Sequence, residues 1–191
     1  TYPKIWFMRH GETEWNAEGR VQGQTESVLS ARGVEHAKQQ YRLMAPILET
    51  NPPCIVSPLR RTRQTADIAL GGRKYEVDDR LKEVFAGEWE GQLRTDIFNN
   101  LPEGITPATP HMEFYAAAPG GEGFDAFQAR VRDFVSTLNE PTVIVAHGLS
   151  GQLLRGELCG LTRSDLGKLT NRQGCVYVIE DGVETVLELD G

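Results

Sequence analysis

The chain has 191 residues, of which 39% are hydrophobic and 25% charged, with a formal net charge of −7. That length suits one domain spanning residues 1–191 with a sizeable core, and that composition suits a globular protein in water. The acidic balance excludes a general electrostatic attraction to nucleic acid, so any anion site must be local, made by a few basic residues in a cleft.

The first element is a short apolar run, Ile5 to Met8, which switches at once to Arg9-His10-Gly11. Such a run reads as a buried strand. It delivers Arg9 and His10 to a strand's carboxyl edge, where open α/β sheets place ligands. Gly11 is expected to allow a sharp turn or the close approach of a ligand. A polar loop, Ala17 to Gly23, follows. Ser30 has the character of a helix N-cap. The helix it opens is expected to run to about Glu49, with Val34, Ala37, Tyr41, Met44 and Leu48 on one face and Pro46 near its end.

Asn51-Pro52-Pro53 breaks the chain, and Cys54-Ile55-Val56 is a second buried strand. It opens onto Ser57-Pro58-Leu59-Arg60-Arg61 and a helix to about Leu70, closed by Gly71-Gly72. Tyr75 to Val77 reads as a short third strand, residues 79–91 as mostly loop, and Leu93 to Leu101 as a short helix. Residues 102–122 hold Pro102, Pro107, Pro110 and Pro119, an irregular excursion expected to form a cap or lid. Phe127, Val131, Phe134 and Leu138 recur at helical spacing from Phe124 onward. Pro141 to Ala146 is the clearest buried strand, and it ends in His147-Gly148 before a helix over Ser150 to Leu158. Cys175 to Glu180 and Val183 to Leu189, split by Asp181-Gly182, read as a hairpin with a type I′ turn.

No apolar run is long enough to span a bilayer. Strand-like residues begin at Ile5 with no cleavage-site pattern after them. Cys54, Cys159 and Cys175 are odd in number and lack metal-ligand spacing, so they read as reduced, mostly buried small hydrophobes. A cytoplasmic protein with no membrane or nucleic-acid partner, no metal and no cofactor is expected. The oligomeric state is not legible, and a homodimer stays open.

The chemistry at the first strand end is suggestive. A neutral imidazole is a competent nucleophile that can form a covalent intermediate. An adjacent guanidinium binds anionic oxygens through fixed, forked donors, and its charge disfavours the imidazolium. Arg-His-Gly alone is also an ordinary loop.

Five motifs in order change that. They are Arg9-His10-Gly11-Glu12-Thr13 with Asn16, Ser57-Pro58-Leu59-Arg60-Arg61 with Gln64-Thr65-Ala66, Leu81-Lys82-Glu83 with Gly87-Glu88-Trp89-Glu90-Gly91, Pro119-Gly120-Gly121-Glu122, and Val145-Ala146-His147-Gly148. Together they resemble the histidine phosphatase superfamily, in the branch of cofactor-dependent phosphoglycerate mutases and related small phosphatases, over nearly the whole chain. The resemblance implies a three-layer α/β/α sandwich with a largely parallel sheet and an antiparallel edge. It implies that His10 becomes phosphorylated, that Arg9, Arg61 and His147 hold the phosphoryl oxygens, and that Glu83 is the proton donor and acceptor. Asn16 and Gln22 would add amide donors, with Gly23 and Gly148 lining the substrate site. Arg60 and Arg63 are left as helix-surface charges. Glu26 and Ser27 stand where the family often has Asp and Pro, which bears on the shape of that loop.

Phosphoryl transfer is mostly positioning and charge stabilisation, so donors must surround three oxygens. Within that scheme His147 is expected to be the cationic imidazole and His10 the neutral one. Glu83 needs a raised pKa for its task, from burial beside Phe85 and Trp89 or from the phosphate. His36 is expected to be solvated, His111 to stand outside the site, and Trp15 and Trp89 to be core. Phe114 and Tyr115 are candidate walls, with no second basic cluster nearby.

Three functions compete. The leading one is phosphomonoester hydrolysis of a small phosphorylated metabolite through phosphohistidine. A mutase would return the phosphoryl group to another hydroxyl, and the resemblance implies a longer insertion after the Glu83 region for that task than this chain has, with residues 102–118 left as an alternative cover. A non-catalytic module gripping phosphorylated ligands would gain nothing from Glu83. A metal site built from His10, His147 and Glu83 is disfavoured by the flanking arginines.

Overall fold

The computed structural model describes residues 1–190. Its strands are β1 (Ile5–Arg9), β2 (Cys54–Val56), β3 (Glu76–Val77), β4 (Thr142–Ala146), β5 (Val176–Glu180) and β6 (Val183–Leu187). They form one sheet in the order β3-β2-β4-β1-β5-β6. The first four in that order run parallel. β5 is antiparallel to β1, and β6 to β5. Asp181 and Gly182, at φ 52° and 76°, supply the two left-handed residues that a type I′ hairpin turn requires.

The helices are α1 (Glu14–Glu18), α2 (Ala31–Leu48), α3 (Arg60–Ala69), α4 (Arg94–Phe98), α5 (His111–Ala116), α6 (Phe124–Ser136) and α7 (Gly148–Leu158). Side chains alternate across a strand, and β1 shows the consequence. Ile5 and Phe7 enter a core with Phe127, Val131 and Phe134 of α6 and Leu153 and Leu154 of α7. Met8 enters the opposite core with Met44 and Leu48 of α2 and Ala66 and Ala69 of α3. β4, in mid-sheet, is buried at every residue, as a parallel strand covered on both faces should be. The expected three-layer α/β/α sandwich with a largely parallel sheet and an antiparallel edge is therefore the fold.

Several local expectations change. The buried face of α2 is Gly33, Ala37, Gln40, Met44 and Leu48, while Tyr41 is 41% exposed and Val34 half-buried. Gln40 displaces Tyr41 because its amide NH2 donates to the carbonyls of Arg9 and Cys175, at 2.9 and 3.2 Å. α7 begins two residues earlier than its sequence suggests, with His147 as N-cap. The helix after Leu93 spans only Arg94–Phe98, and the excursion over residues 102–122 contains α5. Residues 79–91 include two 3-10 turns, Asp79–Leu81 and Gly87–Trp89.

Gly11 has a different purpose from either one expected. It is not among the residues of positive φ. A Cβ on Gly11 would collide with the backbone of Gly33, and one on Gly33 would collide with the backbone of Glu12. The two glycines let the first turn of α2 lie directly against the loop that follows β1. That packing, with the Gly11 amide donating to Thr65 Oγ1 at 3.0 Å, fixes the backbone on which His10 stands.

Candidate active site

The carboxyl ends of β1, β2 and β4 converge. Backbone bonds from His10 to Ala146 and from Ser57 to Val145, each 3.0 Å, carry the ladders one residue past the strands. This brings His10, Ser57 and His147 together from three parts of the chain. The His10 and His147 rings lie edge to face, 5.4 Å between centroids. Both are buried.

His10 Nδ1 lies 2.7 Å from its neighbour's carbonyl, Gly11 O. A carbonyl only accepts, so Nδ1 carries the hydrogen and Nε2 keeps its lone pair. Burial, with the Arg61 and Arg9 cations close by, holds His10 well below the usual imidazole range. It is a neutral base with a defined free nitrogen, as a nucleophile must be.

Arg9 reaches the cavity across the start of α7. Its Nη1 donates to Asn171 O at 2.6 Å, and a Cβ at Gly148 would stand only 3.3 Å from its guanidinium carbon. Arg61 donates through Nη1 to Thr25 O at 3.1 Å and through Nη2 to Gly23 O at 2.5 Å. Burial lowers Arg61 to about 10, against the opposing pull of Glu83, and lowers Arg9 as well. Both remain cations at neutral pH. Arg9 Nε, Arg61 Nε and His147 Nδ1 are all buried without a partner among the described residues. A buried polar group left unpaired costs about 1–3 kcal/mol, so three around one imidazole mark an anion site.

His147 is expected from the sequence to be the cationic ring, and its surroundings in the protein push the other way. Burial comes first and the neighbours Arg61, His10 and Arg9 follow, all pushing its pKa well below the usual value. Two guanidiniums already supply the positive charge, and a third cation among them is disfavoured. Its ring is fully buried and packs edge to face against that of His10.

Glu83 lies on the facing side. Its Oε1 accepts from the amides of Val84 and Ser150 at 3.0 and 2.9 Å, and its Oε2 from that of Leu149 at 3.0 Å. Leu149 and Ser150 are in the first turn of α7, where amides lack helical partners and the dipole favours an anion. The side chain is thus held by backbone donors rather than by an apolar wall. Phe85 is 39% exposed, and Trp89 is core, stacked on Phe114 at 4.8 Å. The main chain here is clamped by Arg130, whose Nη1 donates to Arg80 O and Lys82 O and whose Nη2 donates to Glu83 O. Glu122 pairs with that guanidinium at 2.6 Å and also accepts from Phe85 N.

These groups face one cavity of about 450 Å³. Arg9, His10, Asn16, Gln22, Gly23, Arg61, Glu83 and Gly148 all line it. Asn16 and Gln22 are pre-oriented through Thr13: Asn16 Oδ1 accepts from Thr13 N, and Gln22 Oε1 from Thr13 Oγ1. Their amide NH2 groups are what they can offer a ligand. Arg60 and Arg63 are exposed on α3, as expected.

The outer half of the cavity holds residues given no role by the sequence: Arg20, Arg94, His111, Asn171 and Gln173, beside the anticipated Tyr115. Arg20 donates to Gly91 O and is paired with Glu18 at 2.7 Å. Arg94 donates through Nε to the Tyr115 hydroxyl at 2.9 Å, and its charge is felt at Arg9. So a second basic group is present after all, and His111 stands in the site. Phe114 is core rather than cavity wall, though it edges a small side cleft next to Arg94. Trp15 is only half-buried, packed near Gly91, and His36 accepts from the Glu12 amide instead of being free in solvent. No distinctive spacing marks Arg94, and Asn171 contributes a backbone carbonyl, which any residue type supplies. Among the described residues no cluster of three or more His, Cys, Asp or Glu side chains suits a metal ion.

Two arginines with buried Nε atoms beside a histidine with a free ring nitrogen, at the carboxyl ends of parallel strands, have the chemistry of phosphoryl transfer. The sequence profile of the Histidine phosphatase superfamily (branch 1) matches residues 5–186, and the chain belongs to that family. Phosphoserine phosphatase 1 of Hydrogenobacter thermophilus is 33% identical, over 98% of this chain and 92% of its own. Probable phosphoglycerate mutase GpmB of Salmonella paratyphi C is 32% identical, over 83% of this chain and 75% of its own. The crystal structure of the alpha-ribazole phosphatase from Shigella flexneri superposes with a TM-score of 0.76 at 27% identity, over 98% of this chain and 96% of that one. Among the described residues no helix is long and apolar enough to cross a membrane.

Proposed function

We propose that this protein hydrolyses the phosphomonoester of a small phosphorylated metabolite by way of a phosphohistidine at His10. One observation carries the reading: His10 Nδ1–H is committed to Gly11 O, leaving the Nε2 lone pair free in a buried site where Arg9 Nε, Arg61 Nε and His147 Nδ1 have no partner among the described residues. In the first step that lone pair forms the N–P bond as the ester P–O bond breaks. The departing alkoxide takes a proton from Glu83. In the second step the Glu83 carboxylate takes a proton from water, and the oxygen so activated attacks phosphorus. The P–N bond breaks, its electron pair returns to Nε2, and inorganic phosphate leaves. Arg9, Arg61 and the His147 N–H surround the three oxygens on which charge is spread, where fixed donors act most strongly. The chain acts as one domain in this scheme, with the segment over residues 102–122 covering the outer cavity.

The outer cavity narrows the substrate. A phosphomonoester dianion matches Arg9 and Arg61, and Glu18 already matches Arg20. Among the described residues the Arg94 guanidinium meets no carboxylate, its partner being Tyr115, through the hydroxyl and the ring face. An alcohol half that carries an anionic group, such as a carboxylate, fits that cation best. Nucleic acid and lipid are not implied by a cavity of this size.

The test is release of inorganic phosphate from p-nitrophenyl phosphate and from a panel of phosphomonoesters, by wild type and His10→Ala. The family also contains mutases, which would use the same His10 chemistry to return the group to a second hydroxyl. Isomerisation of 3-phosphoglycerate with a bisphosphoglycerate primer, faster than phosphate release, would favour that reading over hydrolysis.

A further inference from the structure

Ser57 has no part in the steps above, yet it touches a residue that does. It is fully buried, and its Oγ lies 2.7 Å from His147 Nε2. The remaining contact to this oxygen, among the described residues, is a long bond from the Leu59 amide at 3.4 Å, in which Oγ accepts. The hydroxyl hydrogen therefore has one acceptor in reach, the Nε2 lone pair. Suppose instead that Nε2 carried the hydrogen. Nε2–H would then point at Oγ, and the Ser57 O–H would be buried with nothing to accept it. Nδ1, buried without a partner among the described residues, would then offer a bound phosphoryl oxygen a lone pair in place of a hydrogen, and like would face like.

We propose that Ser57 is a positioning residue that fixes His147 as the Nδ1–H tautomer, so that a neutral imidazole donates a hydrogen bond to the transferring phosphoryl group. This rests on the reading that phosphoryl transfer occurs at His10, and it states what the second histidine contributes. The two rings then share one tautomer but present opposite ends of it. His10 has Nδ1–H tied to Gly11 O and presents a lone pair. His147 has Nε2 tied to Ser57 and presents an N–H. An imidazolium at His147 would stand 5.4 Å from the nucleophile's ring and draw down its basicity. A neutral donor avoids that penalty and still reaches the oxygen. Ser57 is itself rigid: its amide donates to Val145 O, and its carbonyl accepts from Thr62 Oγ1 at 2.8 Å.

Tautomers are read directly by long-range 1H–15N correlation on protein labelled with 15N-histidine. In wild type with inorganic phosphate at pH 7, the expected His147 pattern is neutral with Nδ1 protonated. Ser57→Ala should populate the Nε2–H form and lower kcat about tenfold or more, the scale of one lost charge-assisted hydrogen bond. Ser57→Thr, which keeps the hydroxyl, should restore both. A doubly protonated His147 in the wild-type phosphate complex overturns the proposal. So does an Nε2–H tautomer there, or an alanine variant with unaltered tautomer and kcat. If Ser57→Ala does not fold, the wild-type spectrum and the threonine variant still decide. Absence of phosphate release from every ester by wild type would sink hydrolysis while leaving the tautomer measurable.

Discussion

The cavity has two halves built on different principles. The inner half comes from strand ends: Arg9 and His10 follow from β1, Arg61 from the helix after β2, and His147 from β4. His10, Arg61 and His147 are buried and Arg9 partly so, and most of them are bonded to backbone carbonyls. The outer half comes from the segments after Glu83 and around residue 171, where Arg94 and His111 are exposed and Tyr115 half-buried. The difference teaches where chemistry and selectivity reside. In the proposed reaction the buried strand ends would hold the phosphoryl group, and the exposed outer segments would meet whatever is attached to it.

The inner half should be intolerant of small changes. Glu83→Gln keeps the shape but removes the proton, and general acid–base catalysis is worth about 10²–10⁴-fold. The loss in kcat should be that large for alkyl phosphates and smaller for p-nitrophenyl phosphate, whose leaving group needs no proton. Equal losses on both would mean that Glu83 only holds α7 in place. Arg61→Ala should cost about 10²–10³-fold in kcat, the scale of one fixed donor to developing charge, and steady-state phosphate release measures it.

The outer half should instead affect choice. Wild type should prefer 3-phosphoglycerate to glycerol 3-phosphate, which have the same three-carbon skeleton but differ by a carboxylate. Arg94→Ala should erase about tenfold of that preference in kcat/KM, the worth of a good charge-assisted bond. An unchanged ratio would detach Arg94 from specificity.

Acid should separate the halves too, though more weakly. His10 and His147 are buried and neutral, with pKa values below those of an unfolded chain. The unfolded state therefore takes up protons first as pH falls through the ordinary imidazole range. Stability is full above about pH 6.5 and declines below it, by at most about 1.4 kcal/mol per pH unit for each ring. Urea denaturation between pH 7 and pH 5 should show this slope, with less of it in His147→Gln. The nucleophile meanwhile stays neutral, so kcat/KM should show no loss with an apparent pKa near 6.5.

Much of the inner half was legible in the sequence because strands dictate it. An apolar run that stops at a charged residue announces a strand end, and three such ends share one edge. Arg9, His10 and His147 were found in that way, whereas Arg61, inside the helix after β2, was singled out from Arg60 by the family resemblance, which also supplied the roles. What escaped was what only three dimensions show. Gly11 and Gly33 are 22 residues apart (33 less 11) and meet through bare backbone. The charge of His147 depends on neighbours from β1 and α3. Arg130 reaches Glu83 through main-chain oxygens, which carry no residue identity. Arg94 and His111 lie in segments with no period, where nothing but the folded cavity reveals them.

The central claim is a covalent one and can be caught directly. Protein mixed with a 32P-labelled phosphomonoester and quenched in alkali within milliseconds should carry acid-labile, base-stable label. Peptide mapping should place it on His10, and His10→Ala should carry none. Label on another residue, or phosphate released in a burst with no protein-bound intermediate in wild type, would contradict the account.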